Sequence, residues 1–179
     1  LWKNDEEIGF LAVAEDGTVQ LFEMKTDGTD RKQVSAIEGG INGFSYAPDL
    51  SAVAYIKEIP NETCHDVYPD LDKADARIID DLMFRHWDIW VESTSHLFIA
   101  EYNGSELTNH VDVLEGEPYE TPMMPFGGME QITWAPDAKS IIYTCRKKTG
   151  LEYSLSTNSD LYLYNLESGE TVNLTDGMM

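Results

Sequence analysis

Two stretches of this chain carry the same order of residues, and that order narrows the fold more than any other feature. Ile41-Asn42-Gly43-Phe44-Ser45-Tyr46-Ala47-Pro48-Asp49 leads into Ala52-Val53-Ala54-Tyr55-Ile56. Later, Gln131-Ile132-Thr133-Trp134-Ala135-Pro136-Asp137 leads into Ser140-Ile141-Ile142-Tyr143-Thr144. Each reads as a short strand, a turn and a second strand rich in β-branched and aromatic residues. Pro48 and Pro136 preset φ for the turn, and Asp49 and Asp137 can bond back to the backbone two residues on. A unit that recurs in one order signals a repeat architecture.

A second unit occurs three times. Val19-Gln20-Leu21-Phe22-Glu23-Met24 runs through Thr26-Asp27-Gly28 to Arg31-Lys32-Gln33-Val34. His96 to Tyr102 runs through Asn103-Gly104 to Val111-Asp112-Val113-Leu114, and Asp160 to Asn165 runs through Ser168-Gly169 to Thr171-Val172-Asn173-Leu174. Apolar runs joined through a glycine are hairpin signals, because glycine accepts the positive φ that these turns need.

Joined, the two units give strand, Pro-Asp turn, strand, connection, strand, Gly turn, strand, which is one blade of a β-propeller. The expectation is an all-β fold, a single partial propeller over residues 1–179 with about three four-stranded antiparallel blades, against the four to eight of a closed one. The blade segments are 8–35, 41–114 with an insertion at 58–95, and 130–175. Within the insertion, Ala74, Ile78 and Leu82 fall four apart, so a short helix is expected near 70–84 with Asp70 as its N-cap. Residues 115–129 read as a turn-rich connection between blades, and 147–159 as a polar, exposed loop.

A chain of 179 residues with 42% hydrophobic residues can fill the core of one ordinary domain. Its formal charge of −21 repels phosphate backbones and anionic lipid, so neither nucleic acid nor a membrane surface is an expected partner. No apolar run approaches the roughly 18 residues of a membrane span. The first residues, Leu1-Trp2-Lys3-Asn4-Asp5-Glu6-Glu7, lack signal-peptide character, and without an initiating Met the chain is expected to begin inside a longer protein. Cys64 and Cys145 are too few for a disulfide scaffold or a cysteine-rich zinc site; they either pair or remain free, with buried thiols favoured.

Local motifs give little catalytic chemistry. Gly43-Phe44-Ser45-Tyr46-Ala47 approaches the elbow of α/β hydrolases, but a Pro-Asp turn and another strand follow it where a helix is needed. Ser45 is therefore read as a strand residue. His65, His86, His96 and His110 are too scattered for a zinc site. Asp66, Asp70, Asp72 and Asp75 lack the glycine and terminal Glu of a calcium loop and read as a solvated acidic segment. No metal or cofactor is expected. Asn61-Glu62-Thr63, Asn103-Gly104-Ser105 and Asn173-Leu174-Thr175 match the N-glycosylation pattern, but chance and turn chemistry account for them and they carry little weight. The densest cluster is Arg85-His86-Trp87-Asp88-Ile89-Trp90, where Arg85, His86 and Asp88 could face a peptide or carboxylate ligand. The structural reading weighs more: a strand whose tryptophans fill the core between blades, with Arg85 and Asp88 paired at its rim.

These residues resemble a known family. The aromatic-Ala-Pro-Asp turns are similar to the Ser-Pro-Asp-Gly blades in propellers of the prolyl oligopeptidase family of serine peptidases. The stretch Asp81 to Trp90 followed by Ser95 to Ala100, and the tail from Tyr143 to Tyr164, resemble the bacterial dipeptidyl-peptidase and acylaminoacyl-peptidase-like branch. The resemblance runs from about Asn4 to Met179. It implies a periplasmic or secreted bacterial parent whose propeller gates peptide access to a C-terminal α/β-hydrolase domain. That domain, its Ser-His-Asp triad and the remaining blades have no counterpart motif in this chain. Dipeptidyl-peptidases of this family also hold the substrate amine with acidic propeller residues. Glu6-Glu7 precedes a blade strand rather than lying in an insertion, so that role is not assigned to it. The second reading is a non-enzymatic periplasmic propeller that binds a protein or polysaccharide. For either, the uncovered terminal blades lead to an expectation of self-association or marginal stability.

Overall fold

The computed structural model of the chain describes residues 1–178; Met179, the last residue of the expected propeller segment, lies outside the described residues. Three antiparallel sheets follow one another along the chain. The first holds β1 (Glu7–Val13), β2 (Val19–Lys25) and β3 (Lys32–Gln33) in that order. The second contains β4 (Gly43–Tyr46) and β5 (Ala52–Pro60), then α1 (Cys64–Val67) and a two-stranded hairpin of β6 (Arg85–His86) and β7 (Ile89–Trp90) intervene. It resumes with β8 (Ser93–Tyr102) and β9 (Leu107–Asp112), so its spatial order is β4-β5-β8-β9. After a single 3-10 turn at Met129–Gln131, β10 (Ile132–Trp134) and β11 (Ser140–Cys145) are followed by α2 (Gly150–Leu155), β12 (Asp160–Asn165) and β13 (Thr171–Asn173). These strands make the third sheet in sequence order. The fold is a partial β-propeller of one three-stranded and two four-stranded blades.

Strand periodicity explains how the blades stack. β5 opens with an unbroken apolar run, Ala52-Val53-Ala54-Tyr55-Ile56, and successive side chains point to opposite faces. Ala52, Ala54 and Ile56 enter one core with Leu97, Ile99, Ile141, Tyr143 and Cys145. Val53 and Tyr55 enter the other with Leu21, Ile41, Phe44, Ala100 and Tyr102. The middle blade is thus apolar on both faces because it is covered on both. Leu97, fully buried, contributes about 1.5–3 kcal/mol by leaving water.

Following the registers places the connections. β5 and β8 end together at Pro60 opposite Ser93, and β11 and β12 meet at Cys145 opposite Asp160. The segments 61–92, 113–131 and 146–159 therefore all leave the blades at one rim. The tight turns, with Pro48, Asp49, Gly104, Pro136, Asp137 and Gly169, lie at the opposite rim. There Asp49 accepts from the Ser51 backbone N–H at 2.9 Å, and Lys32 Nζ reaches the Gly104 carbonyl at 2.9 Å.

The insertions depart from expectation. No helix forms over 70–84. The helix of this insertion is α1, where Thr63 and Asp66 form a reciprocal capping box around a single turn. Residues 71–84 carry the fourfold apolar spacing, yet Ile78 and Ile79 are exposed, so no packed face rewards a helix there. The segment expected as a loop at 147–159 contains α2. Both cysteines are buried free thiols.

Candidate functional site

The three insertions enclose a cavity of about 720 Å³ at their common rim. His86, Arg77, Trp90 and Glu92 line it from the 61–92 segment, Glu120 from the inter-blade connection and Tyr153 from α2. The β6–β7 hairpin pairs Arg85 with Trp90 and His86 with Ile89. Across that pairing the Arg85 guanidinium lies 4.8 Å from the Trp90 ring centre, and Arg77 approaches the same ring at 4.5 Å. Arg77 also pairs with Glu92 at 2.8 Å; both are exposed, so this pair adds little to stability.

Glu120 is the most perturbed acid of the cavity. Its Oε1 accepts from the Tyr153 hydroxyl at 3.0 Å and from the Met124 N–H at 3.2 Å. Burial pushes its carboxyl above the usual carboxylate range, opposed by the Tyr153 hydrogen bond and by the charges of His86 and Arg146. Arg146 is stacked on Tyr153, its guanidinium carbon 3.8 Å from the ring centre. One acid thus ties α2 and the inter-blade connection together over the cavity. The lining joins acids, aromatic rings and an arginine, which suits binding a short polar-apolar ligand.

The serine and histidines singled out in the sequence fall at separate places in the blades. Ser45 lies in β4 opposite Ala54, and its carbonyl accepts from the Trp134 indole N–H at 3.3 Å. His96 pairs with Asp112 at 2.8 Å, and His110 meets the Tyr55 hydroxyl at 2.9 Å. Among the described residues no serine, threonine or cysteine hydrogen-bonds a histidine, and no group of three His, Cys, Asp or Glu is arranged to hold a metal. Burial pushes the Cys145 thiol up to about 12, which leaves it inert.

Of the three residues singled out as candidate ligand contacts, His86 lines the cavity, whereas Arg85 and Asp88 are exposed outside it. The alternative reading, tryptophans filling the core between blades, is corrected. Trp87 is 72% exposed at the hairpin turn, Trp90 is only half-buried, and among the described residues Arg85 and Asp88 form no ion pair. A two-residue turn cannot carry its side chains into a core some residues away. Glu120, Tyr153, Arg77 and Glu92 were not anticipated. Their signal was available in the strand parity, which sends all three insertions to one rim.

A second buried acid lies on the opposite side of the molecule. Glu23, fully buried, accepts at Oε1 from the hydroxyls of Tyr46 at 2.7 Å and Tyr102 at 2.6 Å, and at Oε2 from Lys3 at 3.0 Å. Lys32 pairs with the same oxygen at 3.2 Å. Burial alone would raise this carboxyl, but bonds from Tyr102, Tyr46, Lys3 and Lys32 outweigh it and hold it below the usual range. Glu23 therefore locks the first blade to the second.

No family model matches the chain. The chain is 52% identical over 180 residues to dipeptidyl-peptidase 5 of Porphyromonas gingivalis, covering 99% of this chain and 26% of that protein. It is 49% identical over 181 residues to dipeptidyl-peptidase 5 of Porphyromonas endodontalis, with the same coverages of 99% and 26%. The chain thus spans about a quarter of the length of the curated relatives it matches. Among solved structures, acylaminoacyl peptidase of Pyrococcus horikoshii superposes with a TM-score of 0.59 at 15% identity, covering 94% of this chain and 23% of that one, a likeness of fold.

Proposed function

From a chain homologous along its length to a segment of dipeptidyl-peptidase 5, we propose a non-catalytic propeller segment of a serine dipeptidyl-peptidase. Its insertion rim limits which peptides reach a hydrolase domain outside this chain. The observation that carries this reading is the half-identity over 99% of the chain against only 26% of the relative. The acidic cavity formed by the three insertions supports a gating role, since it lies at the rim with the long connections. We take the parent to act in the periplasm or outside a bacterial cell; that the relatives come from two Porphyromonas species supports only the bacterial source.

The test compares the full-length parent with this chain on dipeptidyl and acyl-aminoacyl chromogenic substrates, alongside a serine-directed covalent probe. An active, labelled parent beside a silent, unlabelled chain is expected. A parent that neither cleaves nor labels would replace this reading with a propeller that binds a protein or polysaccharide. Labelling of this chain would return Ser45 to consideration.

A further inference from the structure

The dipeptide Asn-Gly occurs twice, at Asn42-Gly43 and at Asn103-Gly104, and the fold treats the two differently. Asn-Gly leaves one backbone reaction open, attack of the glycine nitrogen on the asparagine side chain, because glycine has no Cβ to shield that nitrogen or restrict its φ. Gly43 opens β4 and is buried, and a Cβ there would stand 2.7 Å from the Met129 side chain, so its peptide is clamped within the sheet. Gly104 lies in the exposed turn between β8 and β9, with φ at +94° and nothing within 4 Å of the place a Cβ would take. Among the described residues its N–H donates to no acceptor.

The side chain that precedes Gly104 is polarised. Asn103 Oδ1 accepts from the Ser105 N–H, the Ser105 hydroxyl and the Glu106 N–H, each at 3.0 Å. Its Nδ2 donates to Glu106 Oε1 at 3.1 Å. Three donors on one carbonyl oxygen make its carbon more electrophilic, and they are already aimed at the negative charge that an attack would place there. Asn42 has only its Nδ2 engaged, donating to Glu58 at 3.0 Å. Two sister turns show which product the fold accepts. In Asp16-Gly17-Thr18 and Asp27-Gly28-Thr29 an aspartate stands where Asn103 does, its Oδ1 accepting from the threonine N–H at 2.9 Å and from the hydroxyl at 2.7 Å.

We propose that Asn103 is a site of spontaneous deamidation through a cyclic imide with Gly104, and that Asn42 is spared. The Gly104 nitrogen bonds to Asn103 Cγ and gives its proton to hydroxide. The bond from Cγ to the side-chain nitrogen breaks, and that nitrogen takes a proton from water and leaves as ammonia. Water then opens the imide at either carbonyl, leaving aspartate or its isoaspartyl isomer. Each event adds one negative charge beside Lys32, whose ammonium bonds the Gly104 carbonyl at 2.9 Å and pairs with Glu23 at 3.2 Å. Aspartate keeps the turn, as in the sister turns. The isoaspartyl form lengthens the main chain by one carbon where Lys32 ties the first blade to the second.

The test incubates the folded full-length parent at mildly alkaline pH in water enriched in oxygen-18. Digestion in ordinary water and mass spectrometry then follow the peptides that hold Asn103 and Asn42, with a parent carrying Asn103→Asp as reference for the aspartate product. Several-fold faster conversion at Asn103 than at Asn42 is expected, with one heavy oxygen in the product and an isoaspartyl form that elutes apart from the reference. In urea the two rates should approach each other, since the fold no longer separates the two sites. Equal rates in the folded parent, or no conversion at Asn103, overturn the proposal. Product without heavy oxygen also overturns it, because the change then arose during digestion. A rate gap that persists in urea overturns it too, since neighbouring sequence rather than the turn would set the difference.

Discussion

Glu23 joins four partners that the sequence keeps far apart: Lys3, Lys32, Tyr46 and Tyr102. Glu23→Gln keeps the shape and removes the charge, leaving Lys3 beside a neutral amide in a buried site. Breaking a buried ion pair in this way should cost roughly 3 kcal/mol, read by urea unfolding at neutral pH. Because the folded carboxyl is depressed, the stability it contributes is complete above its ordinary value of 4.5 and is lost as pH falls through the folded value. The gap between the native protein and the variant should therefore narrow on acidification; a gap independent of pH would mean that Glu23 is not held as the anion. Gly9 belongs to the same site, since a Cβ there would collide with the Tyr46 hydroxyl and ring. Gly9→Ala should displace that hydroxyl and lower the unfolding midpoint, and an unchanged midpoint would show that Tyr46 can move aside at no cost. Only Lys32, the cross-strand neighbour of Glu23 in the β2–β3 hairpin, was within reach of the sequence; Lys3, Tyr46 and Tyr102 are brought in by tertiary contact, so the site itself was not legible.

Blade strands were readable because their signals are local: the Pro-Asp turns and glycine hairpins set both ends of each strand within a few residues. The helix expected over 70–84 was not readable in the same way. Fourfold spacing of Ala74, Ile78 and Leu82 describes a possible face, but only packing makes such a face stable, and Ile78 remains exposed. The capping box at Thr63 and Asp66 occupies so few residues that periodicity could not reveal it. α2 is held over the cavity by the hydrogen bond from Tyr153 to Glu120 and by the stacking of Arg146 on the Tyr153 ring. Tyr153→Phe should remove the bond that lowers the Glu120 carboxyl and let its pKa rise further, read by carbon-13 NMR of the carboxyl. Its folded value already lies above 4.5, so the stability contributed by the protonated form is present below 4.5 and lost as pH rises through the folded value. The variant should extend that loss to higher pH. A carboxyl that titrates unchanged would mean that Tyr153 does not govern it.

At the scale of the molecule, the third blade leaves one face uncovered. Thr133, Ile142, Leu163 and Val172 lie across from one another on its four strands, and Val172 is 54% exposed. At low salt the charge of −21 keeps copies apart. Near physiological salt, where screening acts over about 8 Å, the apolar face should draw them together. Sedimentation of this chain should show a monomer at low salt and association as salt rises, with binding of a hydrophobic dye falling in step. A monomer at every salt concentration would show that the open blade face tolerates water. The middle blade has the opposite situation, with strands β5 and β8 sharing side chains between two cores. Opening either outer blade exposes one core, whereas freeing β5 or β8 exposes both. Native-state hydrogen exchange should therefore be slowest at Val53 to Ile56 and Leu97 to Ala100, with β1 and β13 exchanging through smaller openings. The chain would then melt from its ends inward, and a nascent polypeptide would gain lasting order only once its second blade had closed.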